Sequence, residues 1–256
     1  MHNHLNILKA ETNNLLDKSK IFLNDRTGLI ASLIEKDFSK DDLAFYPQLT
    51  FMAALGSEKI DETVRTIGIL NLIMYISTEI HNNVPIEPVG EKTFFQEVQV
   101  PILAGDLLYS KLFNILCTHN LTAYIGDFIK YIEPFNTAWI NYLENKLSDE
   151  EFCSKKFGEL GRTAMLTGTK AVHLPEHWAG IMGEYGYALA NIYGAKQMKL
   201  SQKFVDKQLK TLDGVLLNLG SQELKSLFTF KIETTYQQYR ENDNYELLKL
   251  KAVAAN

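Results

Sequence analysis

The sequence has little of what builds disulfide scaffolds, folds of many short strands, or membrane spans. Cysteine occurs only at Cys117 and Cys153, with no CxxC pair, which favours a reducing intracellular compartment. Glycine and proline number 15 and 6 in 256 residues, a sparse supply of turn residues that favours helices. The longest apolar run, around GILNLIMYI, is too short to span a bilayer.

Neither sign of charge dominates the chain. The formal net charge of −5 and the pI near 5.7 argue against a general binder of nucleic acid or of anionic membranes. A hydrophobic content of 46% is enough to bury a substantial core. The first residues, MHNHLNILKAETNN, lack the basic-then-apolar pattern of a signal peptide, so we expect a cytoplasmic globular protein with no transmembrane segment.

Helical periodicity runs through almost the whole sequence. The segment TVRTIGILNLIMYISTEIH is apolar nearly all round, which is typical of a helix surrounded by other helices. Helix starts are marked by Ser148 before DEE, by Pro175 before EHW and by Ser221 before QEL. No β-rich block, fixed-period repeat or long linker interrupts the pattern. The sequence therefore predicts an all-α fold, a helical bundle of about ten helices in a single domain over 1–256.

The apolar helix ends on two neutral amides, Asn82 and Asn83, shortly before Pro85. Asparagine is a poor residue for a helix interior, because its amide competes for nearby backbone groups. One interpretation is that the pair only caps the end of the helix. We interpret the adjacent His81 as a hydrogen-bonded partner at the helix end rather than as a metal ligand.

Three segments together resemble the trans-prenyl diphosphate synthases, all-α enzymes that condense isopentenyl diphosphate onto an allylic diphosphate. STEIHNNV stands where the family has its first aspartate-rich metal motif, and VPILAGDLLYSKLF follows about twenty residues later. GRTAMLTGTKA is similar to the family's K-T-A/G segment, and YGYALANIYGAKQM is similar to the segment that carries the second aspartate motif. The resemblance covers a core of about 41–200, with N-terminal helices in 1–40 and C-terminal helices in 201–256.

The sequence departs from this family at the positions that carry its chemistry. Asn82 and Asn83 replace the first pair of aspartates, and Gln197 and Met198 replace the second pair. The family's basic G-K-x-x-R-P segment aligns with DLAFYPQL, where Pro47 alone is retained, and the arginine pair that follows the first motif is missing from VPIEPVGEKTFF. Ionising an allylic diphosphate requires magnesium ions with anionic oxygen ligands, which neutral amides do not supply. We therefore expect no catalytic residue, metal or cofactor in this chain, with Arg162 as a possible remaining diphosphate contact.

A closer resemblance is to the small subunit (component 1) of the heterodimeric heptaprenyl and hexaprenyl diphosphate synthases. It implies a non-catalytic or regulatory subunit that completes a dimer with an aspartate-motif-bearing catalytic subunit, where Mg²⁺ is expected. The resemblance implies that such a subunit helps to set the length of a long prenyl product, of the kind that forms the side chain of menaquinone. It also implies that the two subunits share the growing prenyl chain at their interface. Two alternatives stay open: a free-standing isoprenoid-binding protein, or an enzyme with relocated metal ligands such as Glu79, Glu87 and Glu184.

The resemblance also places the subunit interface on the two helices after the first motif, whose apolar content exceeds one core-facing stripe. The predicted interface residues are Leu107, Leu108, Leu112, Phe113, Leu116, Tyr124, Phe128, Tyr131, Ile132 and Phe135. Two other groups of residues are weaker candidates for a functional site. His173 and His177 are four residues apart, but Pro175 lies between them and no third ligand is near, so a zinc site is not predicted. We expect Gly105 and Asp106 to serve helix packing and capping.

Overall fold

The fold is built from helices alone over the residues that the computed structural model describes, which are 2–23, 28–57, 60–84 and 98–240. The helices are α1 (His2–Leu23), α2 (Leu29–Asp37), α3 (Lys40–Ala54), α4 (Glu62–Asn82), α5 (Val100–Thr118), α6 (Ile125–Leu143), α7 (Asp149–Cys153), α8 (Glu159–Ala171), α9 (Glu176–Met198), α10 (Gln202–Asn218) and α11 (Gln222–Arg240). Ten of these have nine residues or more, so the predicted all-α bundle is confirmed. The single-domain extent of 1–256 stays a prediction.

The centre of the bundle is α4, which packs against α3, α5 and α8. Nearly every residue from Thr66 to Thr78 is less than 5% exposed, as expected for a helix that is apolar all round. The buried Asn71 in this helix donates from Nδ2 to the hydroxyls of Thr50 and Thr167, at 3.0 and 3.1 Å. This branched contact links α3, α4 and α8 through the amide nitrogen of Asn71.

The helix starts follow the capping signals in the sequence. Ser39 and Asp42 form a reciprocal capping box at α3, and Ser148 and Glu151 form another at α7. Pro175 stands immediately before α9, and Ser221 accepts from the backbone N–H of Leu224 at 3.4 Å. The three predicted start signals are therefore confirmed.

A five-residue π-helical segment, Ser154–Gly158, joins α7 to α8 and shifts the phase of the helix. Tyr131 on α6 donates to the carbonyl oxygen of Lys156 in this segment at 3.0 Å. The long helix α9 then packs on α8, α10 and α11. These contacts bring the C-terminal ends of α4 and α9 towards one region of the bundle.

One described helix, α5, is long and apolar enough to cross a membrane by length and composition alone. Only 33% of its most apolar window is buried inside the molecule. One such helix is weak evidence for a membrane span.

Candidate functional site

The C-terminal ends of α4 and α9 line a common cavity of about 440 Å³. Asn83 from the first predicted motif position and Gln197 from the second both line it, so the fold brings these two positions together. The rest of the lining comes from the end of α2, the start of α3, the residues between them, α4, the end of α9 and α11: Asp37, Phe38, Ser39, Asp41, Asp42, Tyr75, Glu79, Tyr193, Lys196, Lys199 and Gln238. Asn82 and Met198 are not part of this lining.

A hydrogen-bond network centred on Tyr193 connects three helices across this cavity. The Tyr193 hydroxyl donates to Asp42 Oδ1 at 2.6 Å and accepts from Gln197 Nε2 at 2.7 Å. Because its one proton is directed to the Asp42 carboxylate, the Tyr75 hydroxyl, 2.8 Å away, donates to Tyr193. Asp42 Oδ2 is held by the backbone and hydroxyl of Ser39. Both carboxylate oxygens of Asp42 are therefore engaged by the protein itself.

Aromatic rings fill the space beside this network. Phe45 stacks on Tyr193 with ring centroids 4.2 Å apart, and Tyr46 lies 5.0 Å from Tyr75. Tyr46 stands where the family's basic segment has a cation; it is 0% exposed, and its hydroxyl has no partner in the described part of the chain. Burial raises the pKa of Tyr46 and of Tyr193 well above the usual range, so both phenols stay neutral at physiological pH. Neutral rings cannot bind a diphosphate as the family's cations do.

An ion pair that is mostly, but not fully, shielded from solvent lies on the same side of α4. Glu79, one helical turn before Asn83, accepts at Oε2 from Lys156 Nζ at 2.9 Å, and the two side chains are 13% and 11% exposed. The Lys156 ammonium also lies 4.7 Å from the centroid of the Phe157 ring. The positive charge that meets this carboxylate thus comes from the chain's own π-helical segment.

The first motif position is used to end α4 and to pack it on α5. Asn83 is the C-cap residue, and its backbone N–H donates to the Glu79 carbonyl at 3.1 Å. Both polar side-chain atoms of Asn82 are buried without a hydrogen-bond partner among the described residues. His81 Nε2 lies 3.3 Å from both the Ile102 carbonyl and Asp106 Oδ1, with its ring against Gly105. The interpretation of His81 as a helix-end partner and the packing role of Gly105 are confirmed.

Arg162 is engaged by carboxylates rather than free for a diphosphate. Its Nη1 lies 2.5 Å from Glu184 Oε1, and its Nε lies 3.2 Å from Glu159 Oε2. The guanidinium also lies 4.6 Å from the centroid of the Tyr187 ring. Binding of a diphosphate here would have to displace two carboxylates.

The described residues do not fit the magnesium site that the fold implies. They contain no group of three or more His, Cys, Asp or Glu side chains placed to hold a metal ion. Glu79 and Glu184 are each paired with a cation, while Glu87, the third proposed relocated ligand, lies outside the described residues. No reaction step through a metal is therefore assigned to this chain.

The structure places most of the predicted interface residues in the chain's own core. Seven of the ten predicted residues are buried within the chain: Leu108, Leu112, Leu116, Tyr124, Phe128, Tyr131 and Phe135. Phe113 and Ile132 are partly buried, and Leu107 alone is largely exposed, at 42%. The exposed apolar residues that sequence reasoning missed are Ile102 and Leu103 on α5, and Ile129, Ile140 and Leu143 on α6. For α6 the helical phase was an available signal, whereas α5 is apolar on several sides and its phase does not show which side faces the core.

No protein-family model matches the sequence, and no curated protein matches it in sequence. Solved structures match the fold over most of both chains. A decaprenyl diphosphate synthase from Rhodobacter capsulatus gives a TM-score of 0.73 at 11% identity, covering 93% of this chain and 99% of the other. A geranylgeranyl pyrophosphate synthetase from the archaeon Geoglobus acetivorans gives 0.73 at 12%, covering 91% and 98%.

A mint heterotetrameric geranyl pyrophosphate synthase, a deletion mutant in complex with ligands, gives a TM-score of 0.69 at 13% identity. It matches over 88% of this chain and 98% of its own. At these identities the likeness establishes the architecture and not the activity. The chain has the fold of the prenyl diphosphate synthases, with the neutral amides of Asn83 and Gln197 at the two predicted motif positions that meet in its cavity.

Proposed function

We propose that this chain is a non-catalytic subunit of a polyprenyl diphosphate synthase, paired with a catalytic subunit that bears both aspartate motifs. In this proposal Mg²⁺ and the diphosphates bind in the partner. This chain completes the dimer and helps to set the length of a long prenyl product of the menaquinone side-chain kind, in the cytoplasm. The proposal depends on one observation above all: Asn83 and Gln197 face the same cavity, and the chain's own groups engage Asp42, one of the four carboxylates that line it.

The internal contacts of the cavity's carboxylates support a chain that has retained the fold of a synthase but not its catalytic activity. A catalytic site of this class holds its anionic ligands free for cations, whereas here Asp42 and Glu79 are used in internal hydrogen bonds and an ion pair. Tyr193 lines the cavity, and the buried Tyr46 packs beside it with ring centroids 6.2 Å apart. Carboxylates that are engaged in this way are consistent with selection for packing rather than for turnover.

The apolar outer face of α5 supports a partner subunit. Ile102, Leu103 and Leu107 are 41%, 61% and 42% exposed, on the helix that follows the first motif position. Contiguous apolar surface of this kind marks interaction sites on globular proteins, and an obligate interface buries upwards of about 2,000 Å² in total. One protein of similar fold is described as a heterotetrameric geranyl pyrophosphate synthase, which supports a partner subunit here.

The proposal is tested by co-expressing the chain with an aspartate-motif synthase encoded in the same genome. We expect a stable complex by size-exclusion chromatography with light scattering, and longer prenyl products than the synthase makes alone. Leu103→Glu with Leu107→Glu should abolish both results, because two carboxylates would be desolvated in the interface. Leu217→Glu, at a leucine that is 65% exposed on α10, is the matched control and should pair normally. Unchanged pairing in the double variant would contradict the proposal.

The relocated-metal alternative makes the opposite prediction for the isolated chain. We expect no condensation of isopentenyl diphosphate with farnesyl diphosphate in the presence of magnesium. Turnover above background that is lost in Glu184→Gln would promote that alternative.

A second cavity supports the isoprenoid-binding alternative. It measures about 800 Å³ between α1 and α2, and its apolar lining includes Leu16, Leu23, Ile34, Phe38 and Leu43. Binding of a fluorescent prenyl alcohol to the chain alone, lost in Leu16→Glu, would favour this function. Binding only after the catalytic subunit is added would favour the heterodimer.

A further inference from the structure

Unpaired polar atoms are concentrated at the C-terminal end of α4. Thr78, Glu79 and Asn82 on α4 and Tyr109 on α5 contribute five of the eleven buried side-chain nitrogen and oxygen atoms that have no hydrogen-bond partner within the described part of the chain. We call these four residues the polar cluster. Buried polar groups in folded proteins are nearly always hydrogen-bonded, so several unpaired ones in one place require a physical explanation.

Thr78 connects the members of the polar cluster, and it is only 1% exposed. Asn82 lies one helical turn after it on the same side of α4, and Glu79 follows it directly. Burial raises the pKa of Tyr109 and the nearby Thr78 hydroxyl lowers it, so this phenol lies beside Thr78, although the two groups form no direct hydrogen bond. Burial also raises the pKa of Tyr131 on α6, and the Thr78 hydroxyl again opposes the rise. The polar cluster therefore lies inside the protein, where side chains of α4, α5 and α6 meet.

Direct contacts satisfy the polar groups immediately beside the cluster. The Ser77 hydroxyl donates to the Gly105 carbonyl oxygen of α5 at 2.9 Å, and Glu79 Oε2 accepts from Lys156 Nζ at 2.9 Å. The helices thus pack closely enough for hydrogen bonds at this level of the bundle. Polar groups that lie near one another without direct contact are bridged by a small molecule that can bond to several of them at once.

We infer that the polar cluster is an internal binding site for a small neutral hydroxylic molecule, with bound water as its occupant. The hydroxyls of Thr78 and Tyr109 and the amide of Asn82 both donate and accept, so the ligand must do the same. An anion would meet the Glu79 carboxylate, and a cation would add to the positive charge that Lys156 already supplies. A buried water molecule makes about three hydrogen bonds, which this set of atoms provides.

Occupancy by water makes this part of the interior unsuitable for an apolar ligand. A hydrocarbon chain would displace the water and leave the polar cluster unpaired, which is unfavourable for each atom. None of the unpaired atoms belongs to the lining of the 800 Å³ cavity between α1 and α2, so the two regions suit different ligands. The inference concerns the packing of this chain alone and does not rest on the proposed function, so either can fail without the other.

The test counts long-lived internal water molecules in the full chain by magnetic relaxation dispersion of the water oxygen. Thr78→Val with Tyr109→Phe removes two hydroxyls and keeps the shape of both side chains. We expect fewer internal water molecules in this double variant than in the wild type. Asn82→Leu, which removes both amide atoms at similar volume, should lower the number as well.

The matched control is Thr169→Val with Tyr185→Phe. Both side chains are buried, at 1% and 0% exposure, but their hydroxyls donate to backbone carbonyl oxygens of the chain itself. We expect this control to keep the wild-type number of internal water molecules. Equal loss in both double variants would overturn the inference. So would an electron-density map of the wild-type chain with no ordered solvent between Thr78 and Tyr109.

Urea unfolding gives a second readout, whose sign separates bound water from a dry cluster. If water is bound, each removed hydroxyl breaks a hydrogen bond, and the unfolding equilibrium constant of the Thr78→Val, Tyr109→Phe variant should rise about 25-fold, or about fivefold for each bond. If the cluster is dry, the same changes relieve the desolvation cost of unpaired hydroxyls, and the constant should fall. A fall in the constant would overturn the inference.

Discussion

At the residue scale, Glu79 in the cavity lining is neutralised by Lys156, which forms an ion pair with it. The two motif positions in the same lining, Asn83 and Gln197, carry no charge. A buried ion pair adds little net stability over apolar residues, but removing one partner leaves an uncompensated charge. The pair is therefore expected to be sensitive to single substitutions and tolerant of a double one.

Lys156→Met should lower the free energy of unfolding by about 3 kcal/mol, because the Glu79 carboxylate would stay buried without its cation. Lys156→Met with Glu79→Gln should recover most of this loss. Lys170→Met is the control, since Lys170 and Asp127 form a more exposed pair, at 45% and 31%, which is expected to contribute about 1 kcal/mol or less. Urea unfolding monitored by circular dichroism gives all three values; equal losses in the two single variants would contradict the buried-pair interpretation.

Lys231 on α11 gives a pH dependence that can be assigned to one residue. Its Nζ donates to Gln48 Oε1 at 2.6 Å and lies 5.1 Å from the Phe45 ring centroid, and burial lowers its pKa from 10.5 to about 8. Between these two values the unfolded chain keeps the proton that the folded chain has released. The free energy of unfolding therefore rises with pH in that range, by at most about 3 kcal/mol.

Lys231→Met should remove this rise. The free energy of unfolding of the variant, compared with that of the wild type, should be highest below pH 8. This difference should shrink as the pH approaches 10.5. The measurement is urea unfolding at several pH values from 7 upwards, with Lys210→Met, at an exposed lysine of α10, as the control. A constant difference between variant and wild type across the series would show that Lys231 is not the titrating group.

At the scale of elements, the close approach of α8 and α9 depends on two glycines. A Cβ at Gly161 would overlap the Gly186 carbonyl oxygen, and a Cβ at Gly186 would overlap the Gly161 carbonyl oxygen. Since both obstacles are backbone atoms, the helices themselves would have to separate. This contact sets the position of α9, and with it Tyr193 and Gln197.

Gly186→Ala should therefore destabilise the fold by about 3 kcal/mol, in the range for overpacking a tight contact. Gly180→Ala in the same helix is the matched control, because a Cβ there meets nothing within 4 Å. It should stabilise by about 0.5–1 kcal/mol through helix propensity. Thermal unfolding of both variants provides the measurement, and stabilisation of similar size in both would show that helix propensity rather than packing dominates at these sites.

The sequence could predict that a helix exists and where it begins, but not always which of its sides faces the core. The periodicity in α4 predicted a buried helix, and the capping signals at Ser148, Pro175 and Ser221 predicted where helices begin. The same patterns could not show which side of α5 faces the core, because that helix is apolar on several sides. Leu108 and Leu112 turned out to face inward and Leu103 outward. The use of Tyr193 as a hydrogen-bond centre also required three helices to be positioned, which no local pattern gives.

At the scale of the whole molecule, two kinds of apolar surface must be kept apart. The core holds the seven predicted interface residues that are buried, whereas the outer face of α5 is apolar with no cover from the described residues. A charge placed in the first kind of surface acts on folding, and a charge placed in the second acts on association. Whole-chain composition cannot separate them, since both raise the apolar content of the same helices.

Leu112→Glu and Phe128→Glu should each abolish folding rather than pairing alone, because both side chains are 0% exposed. A glutamate side chain without a partner in the core must either stay ionised or take up a proton, and it also loses the packing of the apolar side chain that it replaces. Together these costs are comparable to the roughly 5–15 kcal/mol that separates folded from unfolded domains. We expect loss of helical circular dichroism and of a cooperative thermal transition in the isolated chain. Leu103→Glu, at 61% exposure, should keep both signals at wild-type values. If Phe128→Glu instead retained wild-type helicity and melting temperature, its side chain would have to face outward, and the interface would return to the residues that the sequence first indicated.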